Sequence, residues 1–224
     1  MRIDIICSDP DHPVMDWLRR WADARPEPIR ILHDVADADG GTVLFLVSCS
    51  QLIGAKRRAL YETCLVLHAS DLPEGRGWSP LVWQILEGRE EMVLSLLEAD
   101  DPVDSGAIWA KRSFRIPTHA TFAEISACLF DAEIALMDEA LRLIAAGHEP
   151  TPQLSEGATW YPRRRPEDSR LDPAATIEDQ FDLLRVSDPV RYPAYVDLRG
   201  YRYAVTLTKI APAKTEEDQD DDRD

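Results

Sequence analysis

The chain has 224 residues, 45% of them hydrophobic and 29% charged, with a formal net charge of -16. That length allows one sizeable core with a small appendage, and the composition is globular rather than disordered. The acidic balance excludes a general nucleic-acid binder, which needs a basic surface to neutralise phosphates; an anionic small molecule needs only a few cations, and Arg76, Lys111, Arg185 and the run Arg163-Arg164-Arg165 are available.

In chain order, Arg2 to Cys7 reads as a short buried strand closed by Ser8-Asp9-Pro10-Asp11. His12 to Ala24 carries Val14, Trp17, Leu18 and Trp21 at three-four spacing, the pattern of an amphipathic helix. Ile29 to Leu32, Thr42 to Ser48 and Cys64 to His68 are further apolar strands, with a short helix over Lys56 to Leu60. Strands alternating with helices and apolar on both faces predict a mostly parallel sheet covered on both sides, with ligands beyond the carboxyl ends of the strands. His68 falls at such an end.

Pro80 to Glu87 is expected to be a helix that Pro80 starts and Gly88 stops. Met92 to Glu98 and Ala107 to Phe114 read as strands around the turn 101–106. Thr121 to Ala146 reads as a long helix with Thr121 as N-cap and a core stripe of Phe122, Ile125, Leu129, Ile134, Leu136 and Leu141. Composition shifts at His148-Glu149-Pro150-Thr151-Pro152, so residues 1–150 form the expected main domain. Residues 151–212 then supply a linker, a helix from about Ile177 to Leu184, and a hairpin of Tyr195–Leu198 and Tyr203–Thr208 around Arg199-Gly200. This second part lacks a core of its own and is expected to pack on the first. Positions 213–224 are an acidic tail expected to be disordered: Glu216 to Asp224 holds seven acids against one arginine.

Cys7, Cys49, Cys64 and Cys128 lie far apart with no zinc spacing, and three of them sit in apolar runs as small hydrophobes. His12, His33, His119 and His148 have no partner spacing and read as surface or cap residues, so no metal site is expected. Met1-Arg2-Ile3-Asp4 has no signal-peptide pattern, and no apolar run approaches the roughly 18–20 residues of a membrane span. A cytoplasmic protein with reduced thiols is the expectation.

The stretch that carries chemistry runs from His68 through Ser70, Leu72-Pro73, Arg76-Gly77 and Pro80 to the isolated turn Asp104-Ser105-Gly106. A lone histidine ending a strand is more often structural than catalytic, and an Asp-Ser-Gly turn is common by itself. Order and spacing together resemble the formyltransferases that use 10-formyltetrahydrofolate, whose signature reads His-x-Ser-x-Leu-Pro, Arg-Gly, Pro, then Asp-x-Gly. The Gly77 to Gly88 run, Gly-Trp-Ser-Pro-Leu-Val-Trp-Gln-Ile-Leu-Glu-Gly, is most similar to the short amino-sugar branch.

The resemblance implies an abridged Rossmann-like α/β fold, with a small C-terminal helix and β-hairpin. His68 would handle the proton and the oxyanion, with Asp104 orienting its imidazole. Ser50, Gln51 and Leu52 match the place where the family wraps the pterin with loop backbone, and Ser70, Leu72 and Gly106 complete the folate contacts; an ordinary strand-to-helix loop is the alternative for the first three. Arg76, Trp78, Trp160 and Arg163 would meet the acceptor by stacking a base and contacting a pyrophosphate, or else pack the C-terminal surface. The family normally has asparagine two residues before this histidine; Val66 stands there.

About 40 residues separate Arg170 from the tail, too few for the OB-type domain of the methionyl-tRNA enzymes. The implied acceptor is therefore a small-molecule amine, a UDP-linked deoxyamino sugar, with no nucleic acid, membrane or metal partner. An aminoacyl acceptor and a catalytically inactive binding homologue are the alternatives. Open edges of the hairpin offer a pairing surface for a homodimer.

Overall fold

Strands β1 (Ile3–Ile6), β2 (Ile29–Leu32), β3 (Gly41–Leu46) and β4 (Tyr61–His68) are the apolar runs of the first half. They pair in parallel in the order β2-β1-β3-β4. The computed structural model describes residues 1–212; the tail expected to be disordered, 213–224, lies outside them. Parallel pairing points all four carboxyl ends to one edge of the sheet, the edge that carries His68.

Direction reverses beyond β4. Strands β6 (Glu91–Glu98) and β7 (Ile108–Arg115) extend the sheet antiparallel, pairing His68 with Ser95 and Val66 with Leu97. The connection at 99–107 accounts for the β6–β7 pairing, because adjacent strands joined without a crossover element run antiparallel. A strand of only two residues, β5 (Arg76–Gly77), lies between β4 and β6 in sequence, outside this sheet.

One face is covered by α1 (Met15–Asp23) and α4 (Phe122–Ala145). Ile3, Ile5, Val43, Phe45, Leu65, Leu94 and Leu96 meet Leu18, Trp21, Leu136 and Met137 there, all nearly inaccessible to water. The indoles of α1 find acceptors on α4: Trp17 Nε1 donates to Asp131 (2.8 Å) and Trp21 Nε1 to Asp138 (2.6 Å). Both rings thus bury area without stranding a donor. α2 (Ala55–Arg58), a 3-10 turn (Val35–Asp37) and the segment around Ile53 close the other face over Ile6, Leu44, Leu46 and Cys64.

α4 begins at the expected threonine, whose backbone nitrogen donates to Glu124 in a reciprocal capping box. Of the expected stripe, Ile125, Leu136 and Leu141 are buried and Phe122, Leu129 and Ile134 half-buried, and the inward face also takes in Phe130, Ala132, Glu133, Met137 and Ala140. α3 (Pro80–Leu86) starts at Pro80, packing Leu81 and Ile85 on Met92, Ile116 and Ile125.

The second part differs from expectation in several elements. The pair β5 and β8 (Trp160–Tyr161) forms a separate parallel ribbon. α5 spans Phe181–Val186, starting later than expected because Gln180 and Asp179 spend their side chains on Asp172 and Thr176 in the preceding turn. The hairpin is β9 (Ala194–Leu198) with β10 (Tyr201–Val205), since positive φ at both Arg199 (51°) and Gly200 (84°) makes a two-residue turn and brings the second strand forward. This part also has a small apolar cluster of its own, Leu171, Leu184 and Ala194 with Leu183, Val196 and Val205 around them.

Candidate active site

β4 delivers His68 to the edge of the sheet on the face it shares with Cys64 and Val66, four and two residues earlier. The imidazole is 7% exposed. Its Nε2 lies 2.9 Å from the carbonyl of Gly75. A carbonyl only accepts, so this nitrogen carries the hydrogen and Nδ1 is the edge turned to Asp104. Asp104 Oδ1 is 3.6 Å away, within ion-pair range and longer than a hydrogen bond. The other carboxylate oxygen accepts from the backbone N–H of Gly77 at 2.9 Å.

Asp104 sits in the left-handed region, φ 60°, uncommon for a residue with a Cβ. Two glycines let the surrounding chain close in. A Cβ on Gly106 would stand 2.0 Å from the Glu98 carbonyl, and one on Gly77 would stand 2.5 Å from the Tyr161 carbonyl. Gly106 is therefore explained by close backbone packing against β6, whatever ligand the turn meets.

The loop after His68 is held from below. Ser95 Oγ donates to the Ser70 carbonyl at 2.6 Å and accepts from the Leu72 N–H at 3.4 Å. Lys111 Nζ reaches the Leu72 carbonyl (2.6 Å) and Asp71 (2.5 Å). Gln84 holds the Ala69 carbonyl at 2.7 Å. Leu72 itself is buried. Ser70 is 2% exposed, and its hydroxyl has no hydrogen-bond partner among the described residues. Ser70 thus presents a buried hydroxyl with unused hydrogen-bonding capacity two residues from His68.

The loop expected to meet the pterin follows β3. Ser50 bonds to Ser8, with its N–H donating to Ser8 Oγ at 2.9 Å, and the Gln51 side chain caps the 3-10 turn by accepting from the Val35 N–H at 2.8 Å. Leu52 is 76% exposed. Of the cations offered by the sequence, Lys111 is committed to the loop and Arg185 to Asp182 and the Pro117 carbonyl. Arg76 is buried against Gln153, with its guanidinium 5.8 Å from the Trp160 ring. Arg163 stacks 4.6 Å over Trp78, and both aromatic residues named for the acceptor, Trp78 and Trp160, are largely exposed.

Other titratable groups lie apart from this chemistry. Burial pushes the Cys7 thiol up to about 11 and Cys64 to about 12, which keeps both protonated. His12 takes the cap role at the start of α1, its Nδ1 accepting the Val14 N–H at 3.2 Å; it is half-buried, and burial, then the Arg191 charge, bring it down to about 4. Among the described residues no three His, Cys, Asp or Glu side chains converge as a metal site, and no helix is long and apolar enough to cross a membrane.

Sequence reading alone missed Ser95, Gln153 and Thr159. Ser95 had a signal, a single polar residue inside Met92-Val93-Leu94-Ser95-Leu96-Leu97. Thr159 stands in the run Ala158-Thr159-Trp160-Tyr161 beside a residue already named, whereas Gln153 had no signal, because its partners are brought close only by the fold.

A buried histidine against a turn aspartate, at the carboxyl edge of a mostly parallel sheet, is an arrangement suited to proton handling in acyl transfer. Residues 21–141 match the family model described as Formyl transferase. The chain belongs to this family. It is similar to the methionyl-tRNA formyltransferase of Cutibacterium acnes, 30% identical over 182 residues, which is 81% of this chain and 58% of that protein. The chain thus spans little more than half the length of that curated relative. Among solved structures, the methionyl-tRNA formyltransferase from Clostridium thermocellum superposes with a TM-score of 0.80 at 24% identity, covering 96% of this chain and 95% of that one. A sugar N-formyltransferase from Shewanella gives 0.71 at 16% identity, with 95% and 99% covered. At these identities the two structures speak for the fold.

Proposed function

We propose that the chain transfers the formyl group of 10-formyltetrahydrofolate to the primary amine of a small acceptor, a nucleotide-linked deoxyamino sugar of UDP type. The observation that carries this reading is the buried contact between His68 and Asp104, two residues 36 positions apart in sequence, across a loop of family spacing. In the reaction the acceptor amine attacks the formyl carbon, a new C–N bond forms, and the bond from carbon to folate N10 breaks. The proton shed by the amine returns to N10, and tetrahydrofolate leaves.

In this mechanism the His68 Nε2–H exchanges the Gly75 carbonyl for the oxyanion that develops on the formyl oxygen. Asp104, across Nδ1, stabilises positive charge on the ring and keeps it oriented. Ser70 Oγ supplies the donor that Val66 lacks, since it is buried close by with its hydrogen-bonding capacity unused. The exposed Trp78–Arg163 stack and Trp160 would receive the base and pyrophosphate of the acceptor. The acidic charge supports a small acceptor over a tRNA.

The decisive assay follows tetrahydrofolate release from 10-formyltetrahydrofolate with a panel of UDP-4-amino sugars and, in parallel, charged methionyl-tRNA. Release with a sugar and a drop of roughly 10²–10⁴ in His68→Ala are expected. Turnover with tRNA alone would move the acceptor, and no release above His68→Ala with any amine would sink the reaction. A second reading, a folate or nucleotide-sugar binder without turnover, is favoured by Val66, which faces the same side as His68 where the family has its amide donor. Calorimetry showing tight folate binding without turnover would select it.

A further inference from the structure

The segment that links the two parts of the chain enters the site. Gln153, three residues past Pro150 in the linker, uses its whole amide. Its Oε1 accepts from Arg76 Nε at 3.0 Å and from a terminal nitrogen of the same guanidinium. Its Nε2 donates to the carbonyls of Asp104 (3.2 Å) and Gly106 (3.0 Å). Two donors and two acceptor positions are the full capacity of a carboxamide, and all four are filled.

The partners are what make this placement functional. Arg76 lies between Gly75, whose carbonyl takes the His68 hydrogen, and Gly77, whose N–H holds the Asp104 carboxylate. On the other side, Asp104 and Gly106 bracket the turn that keeps Asp104 at positive φ. A residue held in that sparsely populated region persists only when its surroundings over-determine it. One side chain therefore ties the strand that meets the imidazole to the turn that carries the aspartate. The β5–β8 ribbon adds a second tie: the Gly75 N–H donates to Thr159 Oγ1 at 2.8 Å and the Arg76 N–H to the Thr159 carbonyl at 3.0 Å.

We propose that Gln153 is a positioning residue for the His68–Asp104 pair, so that docking of the C-terminal segment sets the geometry of the site. A linker tie that merely added stability would leave the imidazole environment unchanged when removed. The two halves of the amide are separable by chemistry. Gln153→Glu keeps an acceptor for Arg76 and gains an ion pair, yet loses both donors and turns negative charge toward the two carbonyls. Gln153→Ala loses both halves.

The test records the ring 15N resonances of His68 by NMR in the full chain, comparing wild type, Gln153→Glu, Gln153→Ala and Asp104→Asn. Both Gln153 variants are expected to displace the His68 resonances in the direction Asp104→Asn does, with Gln153→Glu retaining a wild-type melting temperature within a few degrees. His68 resonances at wild-type positions in a folded Gln153→Glu, while Asp104→Asn moves them, would overturn the proposal. Where Gln153→Ala fails to fold, Gln153→Glu carries the comparison, because its Arg76 tie remains.

The kinetic consequence rests on the formyl-transfer reading. With the acceptor found, Gln153→Glu should lower kcat about 10- to 100-fold at little changed KM, as displacement of a catalytic pair does; an unchanged kcat would count against the proposal. Absence of turnover in the wild type would remove the formyl-transfer reading and leave the NMR comparison to decide Gln153.

Discussion

Glu133 is a carboxyl group in the wrong place for a charge. It lies on the inward face of α4, is 4% exposed, and its Oε2 has no hydrogen-bond partner among the described residues. Burial raises it from an ordinary 4.5 to about 8. At neutral pH the folded protein therefore holds a proton there that the unfolded chain releases. A folded-state value above the unfolded one means that stability is greatest below about 4.5, declines as pH rises toward 8, and levels off above it. At 1.36 kcal/mol per unit, the penalty is about 3 kcal/mol at pH 7 and about 5 kcal/mol above pH 8. Glu133→Gln keeps shape and polarity and removes the titration. The variant should match wild type near pH 4.5 and exceed it by about 3 kcal/mol at pH 7, roughly 6–12 °C in melting temperature for a domain of this size. Urea denaturation of both proteins across this pH range measures the difference directly. A stability gap that does not change with pH would refute the reasoning, since it would mean that Glu133 is ionised in the fold or solvated by a route the packing does not provide.

Three further outcomes follow from the same geometry. Asp4 is buried at the far end of the sheet; burial alone would raise its carboxyl, but hydrogen bonds from Arg30 and Tyr61, then the charges of Arg30 and Arg2, win and hold it below the usual aspartate value. Asp4→Asn should cost roughly 2–3 kcal/mol near neutral pH, and the gap should close only as pH falls below about 3.8 through the depressed folded value, which acid-dependent urea midpoints would reveal. Gly106→Ala must displace either the Asp104 turn or the Glu98 backbone, so a loss of about 1–3 kcal/mol is expected by calorimetry together with reduced turnover; a wild-type melting curve would contradict the contact. Ser70→Ala should leave stability unchanged or improved, since it removes an unsatisfied hydroxyl, while kcat falls about 10²–10³. Unchanged kcat would return the donor role to another group.

The sequence carried the positions of the strands well because β1, β3 and β4 are largely buried on both faces, β2 at the sheet edge is half-buried, and a branched apolar run bounded by turn residues has few other uses. Pro80 and the Thr121–Glu124 box marked their helix starts by backbone chemistry that acts locally. Strand direction was different. Nothing in Met92–Glu98 distinguishes a parallel from an antiparallel neighbour; the short turn that follows decides only the pairing with β7. The two-residue strands β5 and β8 are too short to have a period, and their pairing depends on residues 84 positions apart, as Gly75 and Thr159 are.

The candidate site divides along the same line. The sequence pointed to His68 and Asp104 through the order and spacing of a family resemblance, and the fold brings the two side chains to 3.6 Å. The side chains that hold them were not legible, because a carboxamide or a hydroxyl can be supplied from any segment that the fold brings within 3 Å. Arg76 illustrates the cost of reading charge without packing: in sequence it is a free cation for a pyrophosphate, whereas in the fold it is buried with its guanidinium bound to Gln153. Val66 raises the complementary case. A missing amide in one strand is a loss only if nothing else donates into the same space, and under the proposed mechanism Ser70, buried with its capacity unspent, would relocate the donor by four residues along the chain. The pairing of Ser70→Ala with a strand variant, Val66→Asn, tests that directly. If the donor has moved, the asparagine should restore part of the kcat lost in Ser70→Ala, and no recovery in a folded double variant would argue that the two positions do not face the same oxygen.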